Sequence, residues 1–282
     1  MDGTSRRPNL VGIIAGSKPV EIVLTLVVYA VYATVVGVSL IPSSYLMLTA
    51  MPALLEPVLA GPAITGTSLA SVGFLPTLRA ATLVALTLAA ALYLYLFWGT
   101  VVQAALIRVL SFGIGPGRYA AVSFTTLRWL IFSGIYTVSM KTILPLVPVS
   151  FVTNLFFRII GCRMGQNVKI NTNVLNDAYL LTIGDNVIIG GQTDISCHLF
   201  EHNHLVLRPI TIGSDTLIGA HSYVSPGVTI GSRCVIGLHS YIRAGRVIPD
   251  GSTITSLAGI DVHTARHIER GRVVPHPSSR RR

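Results

Sequence analysis

The sequence predicts a protein of two parts: an N-terminal α-helical region that spans a membrane, followed by an all-β parallel β-helix. Two observations carry this prediction. The chain is 51% hydrophobic and only 11% charged, with a mean hydropathy of +0.66, and its longest apolar stretches lie in the first half. In the second half aliphatic residues recur at every sixth position, which is the period of neither an α-helix nor an alternating strand.

Two apolar stretches are long enough to cross a bilayer as helices. Residues 20–41 would extend about 33 Å, and residues 80–107 are longer still. The first stretch exceeds a signal-peptide core and no small-residue cleavage pattern follows it, so we expect it to be retained. The intervening residues 42–76 are rich in Pro, Gly and Ser and are expected to form a loop. We therefore assign residues 1–18 to an N-terminal segment and residues 19–118 to the transmembrane region.

Residues 119–160 are also apolar but are expected to lie at the membrane surface. Arg128 and Lys141 leave only about 18 Å of helix between them, which is too short for a hydrocarbon core of about 30 Å. Pro145 and Pro148 would break the helix and direct the chain toward the second half. The segment is therefore predicted to form interfacial or re-entrant helices.

The basic residues predict which side of the membrane the two ends occupy. Lys and Arg lie before the first apolar stretch and after the second, whereas the connecting loop has none before Arg79. Both ends, and with them the β-helix, are expected in the cytoplasm, as parts of a multi-pass inner or plasma membrane protein. The net charge of +10 suits an anionic lipid surface, and no basic run is interleaved with aromatic residues as nucleic-acid binding would need. Three scattered cysteines favour a reducing compartment over a disulfide framework.

The six-residue repeat identifies residues 161–258 as a parallel β-helix. In this fold three six-residue segments form one coil, and the aliphatic side chains of successive coils stack into a continuous core. The unbroken part of the repeat has its aliphatic residues at Ile212, Ile218, Val224, Ile230, Ile236, Ile242, Ile248 and Ile254. The same phase appears at Met164 and Ile170, slips by one residue, and resumes at Ile183, Ile189 and Ile195.

The repeat stops after Ile195 and restarts at Ile212. We interpret the intervening residues as an insertion extruded from the coil, because loops held by a rigid scaffold often carry functional sites; a plain polar surface loop is the alternative. The insertion contains His198, Glu201, His202 and His204. Together with Cys197 these side chains could also form a zinc cluster, since thiolate, imidazole and carboxylate all bind that metal. We expect no metal cofactor but keep zinc as an alternative.

At these residues the chain resembles the hexapeptide-repeat acyltransferases, such as the galactoside and maltose O-acetyltransferases. The resemblance covers about residues 160–254 and rests on "NTNVLNDAYLLTIGDNVIIGG" and "CHLFEHNHLVLRPITIGSDTLIGAHSYVSPGVTIGSRCVIG". A second resemblance, carried by "FFRIIGCRMGQNVKI", by "HLFE" and by the layout of the apolar stretches, is to the membrane-attached terminal domain of Pls-type peptide synthetases, including poly-lysine synthase.

The first resemblance implies a homotrimer of left-handed β-helices, with acyl-CoA in the groove between subunits and a histidine as general base. His198 stands in the place of that histidine, and a neutral imidazole can take the proton of a hydroxyl or amine that attacks a thioester. Glu201 is expected to orient the imidazole. His202 and His204 are alternative bases, acceptor contacts or plain loop residues.

The resemblance also suggests residues that bind the two substrates. Asn171, Asn173 and Asp177 lie in a stretch similar to the acceptor-binding part of the sugar acetyltransferases, from which they could reach the histidine of a neighbouring subunit; ordinary turn roles are the alternative. His221 and His239 lie one coil apart and are assigned to the acyl-CoA groove, with stacking on the surface as the alternative.

Two further functions stay open: transfer of carrier-bound aminoacyl or peptidyl groups, and a scaffold without catalysis. The basic residues 259–282 leave the repeat and are expected to contact anionic lipid. Because a trimeric solenoid needs no membrane region to act on a small soluble sugar, the acceptor is expected to be membrane-associated.

Overall fold

The computed structural model describes residues 18–59, 74–254, 266–269 and 272–275. Contacts within the chain divide it into a helical unit, Val27–Gln103, and a larger unit that contains Ala104–Arg282 together with Met1–Leu26. The predicted N-terminal segment and most of the predicted basic tail lie outside the described residues. The part of the tail that is described forms an antiparallel pair of strands, Arg266–Glu269 and Arg272–Pro275.

The helical unit is built from helix α1, Lys18–Leu59, and helix α2, Phe74–Ser111. Their contact includes a polar seam, because the Ser43 hydroxyl donates to the Ala91 carbonyl at 2.7 Å and the Gln103 amide donates to Ser39 Oγ at 3.3 Å. Helix α1 is longer than predicted: residues 42–59, expected to be a loop, continue the helix. Proline interrupts a helix less in apolar surroundings, where leaving the helix would expose backbone polar groups.

Among the described residues, three helices have the length and apolar composition to cross a membrane: Thr25–Glu56, Leu78–Ser111 and Phe124–Leu146. The third belongs to the segment predicted to be interfacial, and it differs from the others in its surroundings. Other parts of the protein cover 39% of its most apolar window, against 11% for each of the first two. The number of passes and the side of the membrane on which the β-helix lies stay predictions.

Helices α3, Phe124–Thr142, and α4, Phe151–Ile160, connect the helical region to the β-helix. Each begins at a serine whose side chain accepts a hydrogen bond from the backbone N–H three residues on, Ser123 for α3 and Ser150 for α4. A turn of 3₁₀ helix, Leu144–Leu146, separates them at the predicted proline break. The buried residues of α4 recur at helical spacing and form one apolar face: Thr153, Phe156, Phe157 and Ile160.

The second half is a parallel β-helix, as predicted. Its three faces are sheets of stacked short strands, and every predicted aliphatic residue of the unbroken repeat is buried in the core. The first face contains β2 Arg163–Met164, β5 Leu181–Ile183, β10 Ile210–Ile212, β13 Thr229–Ile230 and β16 Val247–Ile248. The second contains β3 Lys169–Ile170, β6 Ile188–Ile189, β11 Leu217–Ile218, β14 Val235–Ile236 and β17 Thr253–Ile254. The third contains β4 Leu175–Asn176, β7 Asp194–Ser196, β12 Tyr223–Val224 and β15 Tyr241–Ile242.

The glycine that follows several of the aliphatic residues has a steric cause. A Cβ atom on Gly213 would lie 2.5 Å from the backbone of Gly231 in the next coil. Only a residue without a side chain allows the coils to approach this closely.

The insertion is a β-hairpin rather than an irregular loop. Strands β8, His198–Glu201, and β9, His204–Leu207, pair antiparallel, and β1, Gly117–Ala120, adds to the outer edge of β9. The two turn residues, His202 and Asn203, have φ of 46° and 62°, as a two-residue hairpin turn with left-handed residues requires. The strand before helix α3 therefore fixes the insertion to the rest of the larger unit.

Helix α4 covers the open end of the first coil and uses its free backbone carbonyls. The Asn154 amide donates to Val168 O at 2.9 Å, and the Arg158 guanidinium donates to Met164 O at 2.7 Å and to Gly165 O at 2.5 Å. The first coil is thus hydrogen-bonded on its outer side by side chains of a helix instead of by another coil.

Candidate active site

The two irregularities of the repeat meet at one corner of the β-helix. The register aligns Leu175 with Ile195 and Asn176 with Ser196 on neighbouring coils. Immediately after these pairs, the first coil turns into the 3₁₀ segment Ala178–Leu180, which takes up the one-residue slip, and the second coil enters the hairpin. Residues that follow β4 and β7 are therefore close in space although about twenty positions apart in sequence.

His198 and Asp177 form a hydrogen-bonded pair at this corner. His198 Nδ1 lies 2.5 Å from Asp177 Oδ2, and the side chain of Asp177 is only 2% exposed against 24% for His198. Because an ionised carboxylate can only accept, His198 donates from Nδ1, which leaves Nε2 without a proton and able to accept one. A buried carboxylate that orients a more accessible imidazole is the arrangement of a general base with its positioning group.

Helix α3 holds the other side of the carboxylate. Trp129 Nε1 donates to Asp177 Oδ1 at 2.7 Å, so both oxygens of Asp177 have a donor. The Trp129 ring also meets the His198 ring edge to face, with centroids 4.8 Å apart. About two turns further along, the Tyr136 hydroxyl donates to Asn173 O and accepts from Leu175 N, both at 2.8 Å. Helix α3 thus fixes the backbone that carries Asp177.

A second carboxylate lies near the pair. Burial raises the pKa of Asp194, and the positive charge that His198 can carry and a 3.3 Å hydrogen bond from Asn176 oppose that rise. Ser196 Oγ lies 3.3 Å from His198 Nδ1 and donates to the His198 carbonyl at 3.2 Å. Asp194 and Ser196 therefore lie beside the pair without replacing Asp177 as the partner of Nδ1.

Glu201 does not orient His198, in contrast to the prediction. It lies at the tip of the hairpin opposite His204, while His198 lies at the base opposite Leu207. Its Oε1 is 3.5 Å from Nδ1 of the exposed His202. Successive side chains of a strand point to alternate faces, so Glu201, three positions after His198, points to the opposite face. The predicted contact between the two had assumed an irregular loop.

His202 and His204 also lie at the hairpin tip. His202 is 80% exposed, and His204 Nδ1 hydrogen-bonds to the His202 carbonyl at 2.8 Å. The hairpin therefore does not bring either of them to the Asp177 carboxylate.

The side chains of the alternative zinc cluster do not converge either. Cys197 is fully buried, and burial raises its pKa well above the usual value, which also disfavours a role as a nucleophile. Across the described ranges no three His, Cys, Asp or Glu side chains are arranged to hold a metal ion.

Of the predicted acceptor residues, Asp177 reaches a histidine, but it is His198 of the same chain. Asn173 is turned toward helix α3, where its amide donates to the Met140 carbonyl at 2.9 Å, and Asn171 is exposed. His221 and His239 stack with ring centroids 4.9 Å apart and are exposed at a corner of successive coils. Their role in binding acyl-CoA stays a prediction.

Residues 209–244 match the family Bacterial transferase hexapeptide (six repeats). This match confirms the resemblance to hexapeptide-repeat acyltransferases noted in the sequence. The hairpin lies just before the matched segment. Strands β4 and β7, which precede Asp177 and His198, belong to the same sheet as β12 and β15 of that segment.

Two curated proteins and one solved structure are similar to parts of the chain. A Delta-poly-L-ornithine synthetase from Acinetobacter baumannii (strain AB307-0294) is 29% identical over 150 residues, which are 51% of this chain and 11% of that protein. The galactoside O-acetyltransferase of Escherichia coli (strain K12) is 38% identical over 74 residues, 23% of this chain and 36% of that protein. A structure of a galactoside acetyltransferase in complex with coenzyme A is 18% identical, with a TM-score of 0.35, over 57% of this chain and 95% of that chain. The chain thus spans about a tenth and about a third of the two curated relatives.

Sequence reasoning missed the contact between Asp177 and His198 and the contribution of Trp129. The contact between Asp177 and His198 could have been found in the sequence. Aligning Leu175 with Ile195 across the one-residue slip places positions 177 and 198 at the same corner. The contribution of Trp129 had no such signal, because nothing in the sequence indicates which face of helix α3 the β-helix covers.

Proposed function

We propose that this chain is a membrane-anchored acyltransferase in which His198 is the general base and Asp177 positions it. The observation that carries the proposal is the buried Asp177 carboxylate bonded to Nδ1 of the partly exposed His198. The hexapeptide repeats and the similarity to a galactoside O-acetyltransferase support an acyl thioester such as acyl-CoA as the donor.

The reaction follows from this geometry. Nε2 of His198 takes the proton of the acceptor hydroxyl or amine as its oxygen or nitrogen attacks the thioester carbonyl carbon. The carbon–sulfur bond then breaks, and the imidazolium returns the proton to the departing thiolate. Asp177 stays ionised throughout and stabilises the imidazolium. No covalent enzyme intermediate is required.

The experiment is thiol release and acyl transfer by detergent-solubilised protein with acetyl-CoA and other acyl-CoA donors. His198→Ala should reduce transfer by roughly a thousandfold or more, the upper range for a general base with its orienting effects. His267→Ala is the matched control, since it removes an imidazole from the strand Arg266–Glu269, outside the β-helix, and it should leave the transfer rate unchanged. Transfer by His198→Ala at the wild-type rate would contradict the proposal.

The membrane region is proposed to bring the site to a membrane-associated acceptor. Helix α3 is anchored to the first coil from Trp129 to Met140, which supports its placement along the membrane surface beside the site. Confinement near the bilayer raises the effective concentration of a lipid-linked acceptor. The homotrimer and the cytoplasmic orientation belong to the same proposal. A cysteine introduced at position 59, where helix α1 ends beyond the candidate span, and one at position 232 should be labelled from opposite sides of intact membranes if helix α2 crosses the membrane and helix α3 does not.

A second candidate is transfer of aminoacyl or peptidyl groups from a carrier protein. It is favoured by the similarity to a Delta-poly-L-ornithine synthetase, which extends over 51% of this chain. The two candidates share the base and differ in the donor. A faster reaction with an aminoacylated carrier protein than with acyl-CoA would favour the second.

A further inference from the structure

A cavity of about 280 Å³ lies between helix α3 and the first coil, next to the pair described above. Its walls are mostly aromatic and aliphatic, and its polar atoms come from a few side chains on α3 and on the corner of the coils. The lining includes Trp129, Phe132, Tyr136, Tyr179, Ile107 and Ile160, with Asp177 and His198 at the polar part. Concave, mainly apolar cavities with a few convergent polar groups are the usual form of small-molecule sites.

Tyr179 contributes its ring to this cavity. Its hydroxyl oxygen is inaccessible to solvent and makes no hydrogen bond to any of the residues that the structure describes, so it offers no hydrogen bond to a ligand in the cavity. The ring packs edge to face on Phe132, with centroids 5.8 Å apart. Beside these rings the partly exposed His198 imidazole supplies a polar group.

We propose that this cavity binds an apolar portion of a substrate of the transfer reaction, with the reacting group of that substrate at His198. The inference rests on the proposed function, because it assigns a substrate class to the same site. The cavity has room for roughly nine groups of about 30 Å³, the volume of one water molecule in the liquid. A chain of about six carbons with a polar end fits, whereas an acetyl group alone would leave most of the volume unused.

The apolar portion has two possible sources that share this chemistry. It is either the acyl chain of the donor or the hydrophobic body of the acceptor, because both reacting groups must meet at His198, and His198 lines the cavity. The experiment therefore needs one arm that measures binding directly and two arms that separate the sources.

Binding is measured by quenching of Trp129 fluorescence with 6-bromohexan-1-ol, a neutral probe of suitable length. The background is Trp98→Phe, which leaves Trp129 as the single tryptophan of the chain. Quenching should saturate. The saturable part of the quenching should be lost in Ser133→Leu, which fills the cavity from helix α3. It should be kept in Thr125→Leu, a similar substitution on the same helix outside the cavity lining. Quenching that rises linearly with the probe, or that is the same in Ser133→Leu, would overturn the inference.

The sources are separated by transfer rates. If the cavity holds the acyl chain, the ratio of hexanoyl-CoA to acetyl-CoA turnover should fall roughly tenfold or more in Ser133→Leu. If it holds the acceptor, the ratio of hexylamine to propylamine acetylation should fall instead. His198-dependent acetyl transfer with neither ratio changed and no saturable quenching would leave the proposed function standing and remove this inference. Saturable quenching without transfer from any thioester would show a ligand site but remove the proposed function, and with it the assignment of the ligand as a substrate of the transfer.

Discussion

The coils from Ile210 onward and the two coils before them share one aliphatic core but use their polar side chains differently. In the later coils these side chains bond to the next coil: Thr216 Oγ1 donates to Gly231 O at 2.9 Å and Ser222 Oγ donates to Gly237 O at 3.0 Å. In the earlier coils Thr172 and Thr193 make the same kind of bond, but at the corner where the slip and the hairpin break the register Asp177 and His198 bond to each other. A repeat therefore stabilises itself where it is regular and can place two ionisable groups together where its register breaks.

The largest effect on kcat is expected from Asp177, the carboxylate beside the base. Asp177→Asn keeps an acceptor for Trp129 but removes the charge that stabilises the imidazolium, and kcat should fall roughly a hundredfold or more. Glu201→Gln, the same chemical change at the hairpin tip, should alter kcat by less than about twofold. The measurement is the steady-state rate of the two variants with the same acyl-CoA donor. Equal losses in both variants would restore Glu201 to the site.

Helix α3 should contribute through the hydrogen bond from Trp129. Trp129→Phe keeps an aromatic ring and removes the Nε1 donor, so kcat should fall by roughly tenfold, in line with a bond to a charged group. KM for a short donor should not change, because a positioning residue affects the chemical step. Trp98→Phe is the control, since Trp98 is exposed on helix α2. A rise in KM with kcat unchanged would make Trp129 a binding residue instead.

The regular coils should respond to substitution in stability and not in turnover. Ile236→Val removes one methyl group from a fully buried position and should lower the free energy of unfolding by about 0.5–1.5 kcal/mol. Turnover per folded molecule should be unchanged. Val247→Ala, at a position that is 59% exposed, should change stability much less. Denaturant unfolding followed by activity measurement checks both.

The smallest effect is expected at Asp194, through pH. Burial raises its pKa, so its ionised form is disfavoured in the folded protein, and stability should decrease as pH rises from the unfolded toward the folded pKa. Asp194→Asn should therefore be more stable than the wild type at neutral pH and equal to it below about pH 4. Asp250→Asn is the control, because Asp250 is exposed and lies 3.6 Å from Arg233. The measurement is the free energy of unfolding of the wild type and of Asp194→Asn at the two pH values. An advantage of Asp194→Asn that grows on acidification would contradict the prediction.

The sequence predicted the β-helix and the place of its interruption because both depend on a period that side-chain packing imposes. Ile212 and Ile230 must face inward for the coils to close, so their spacing is visible without a structure. It also predicted His198 through a resemblance. It assigned the positioning role to Glu201 because that residue is near in sequence, whereas Asp177 is near only after the coils are stacked with the slip included. The extension of helix α1 past Pro42 was missed because the prediction assumed that proline would end the helix, as it commonly does in water.

The cover that helix α4 forms over the first coil also limits how molecules of this protein can join one another. An uncovered solenoid end would present unpaired strand edges, which can template addition of further β-strands and lead to end-to-end fibres. Here Asn154 and Arg158 already occupy the carbonyls of Val168, Met164 and Gly165. Growth along the solenoid axis is therefore blocked at this end, and only the sides of these coils remain for contact between molecules.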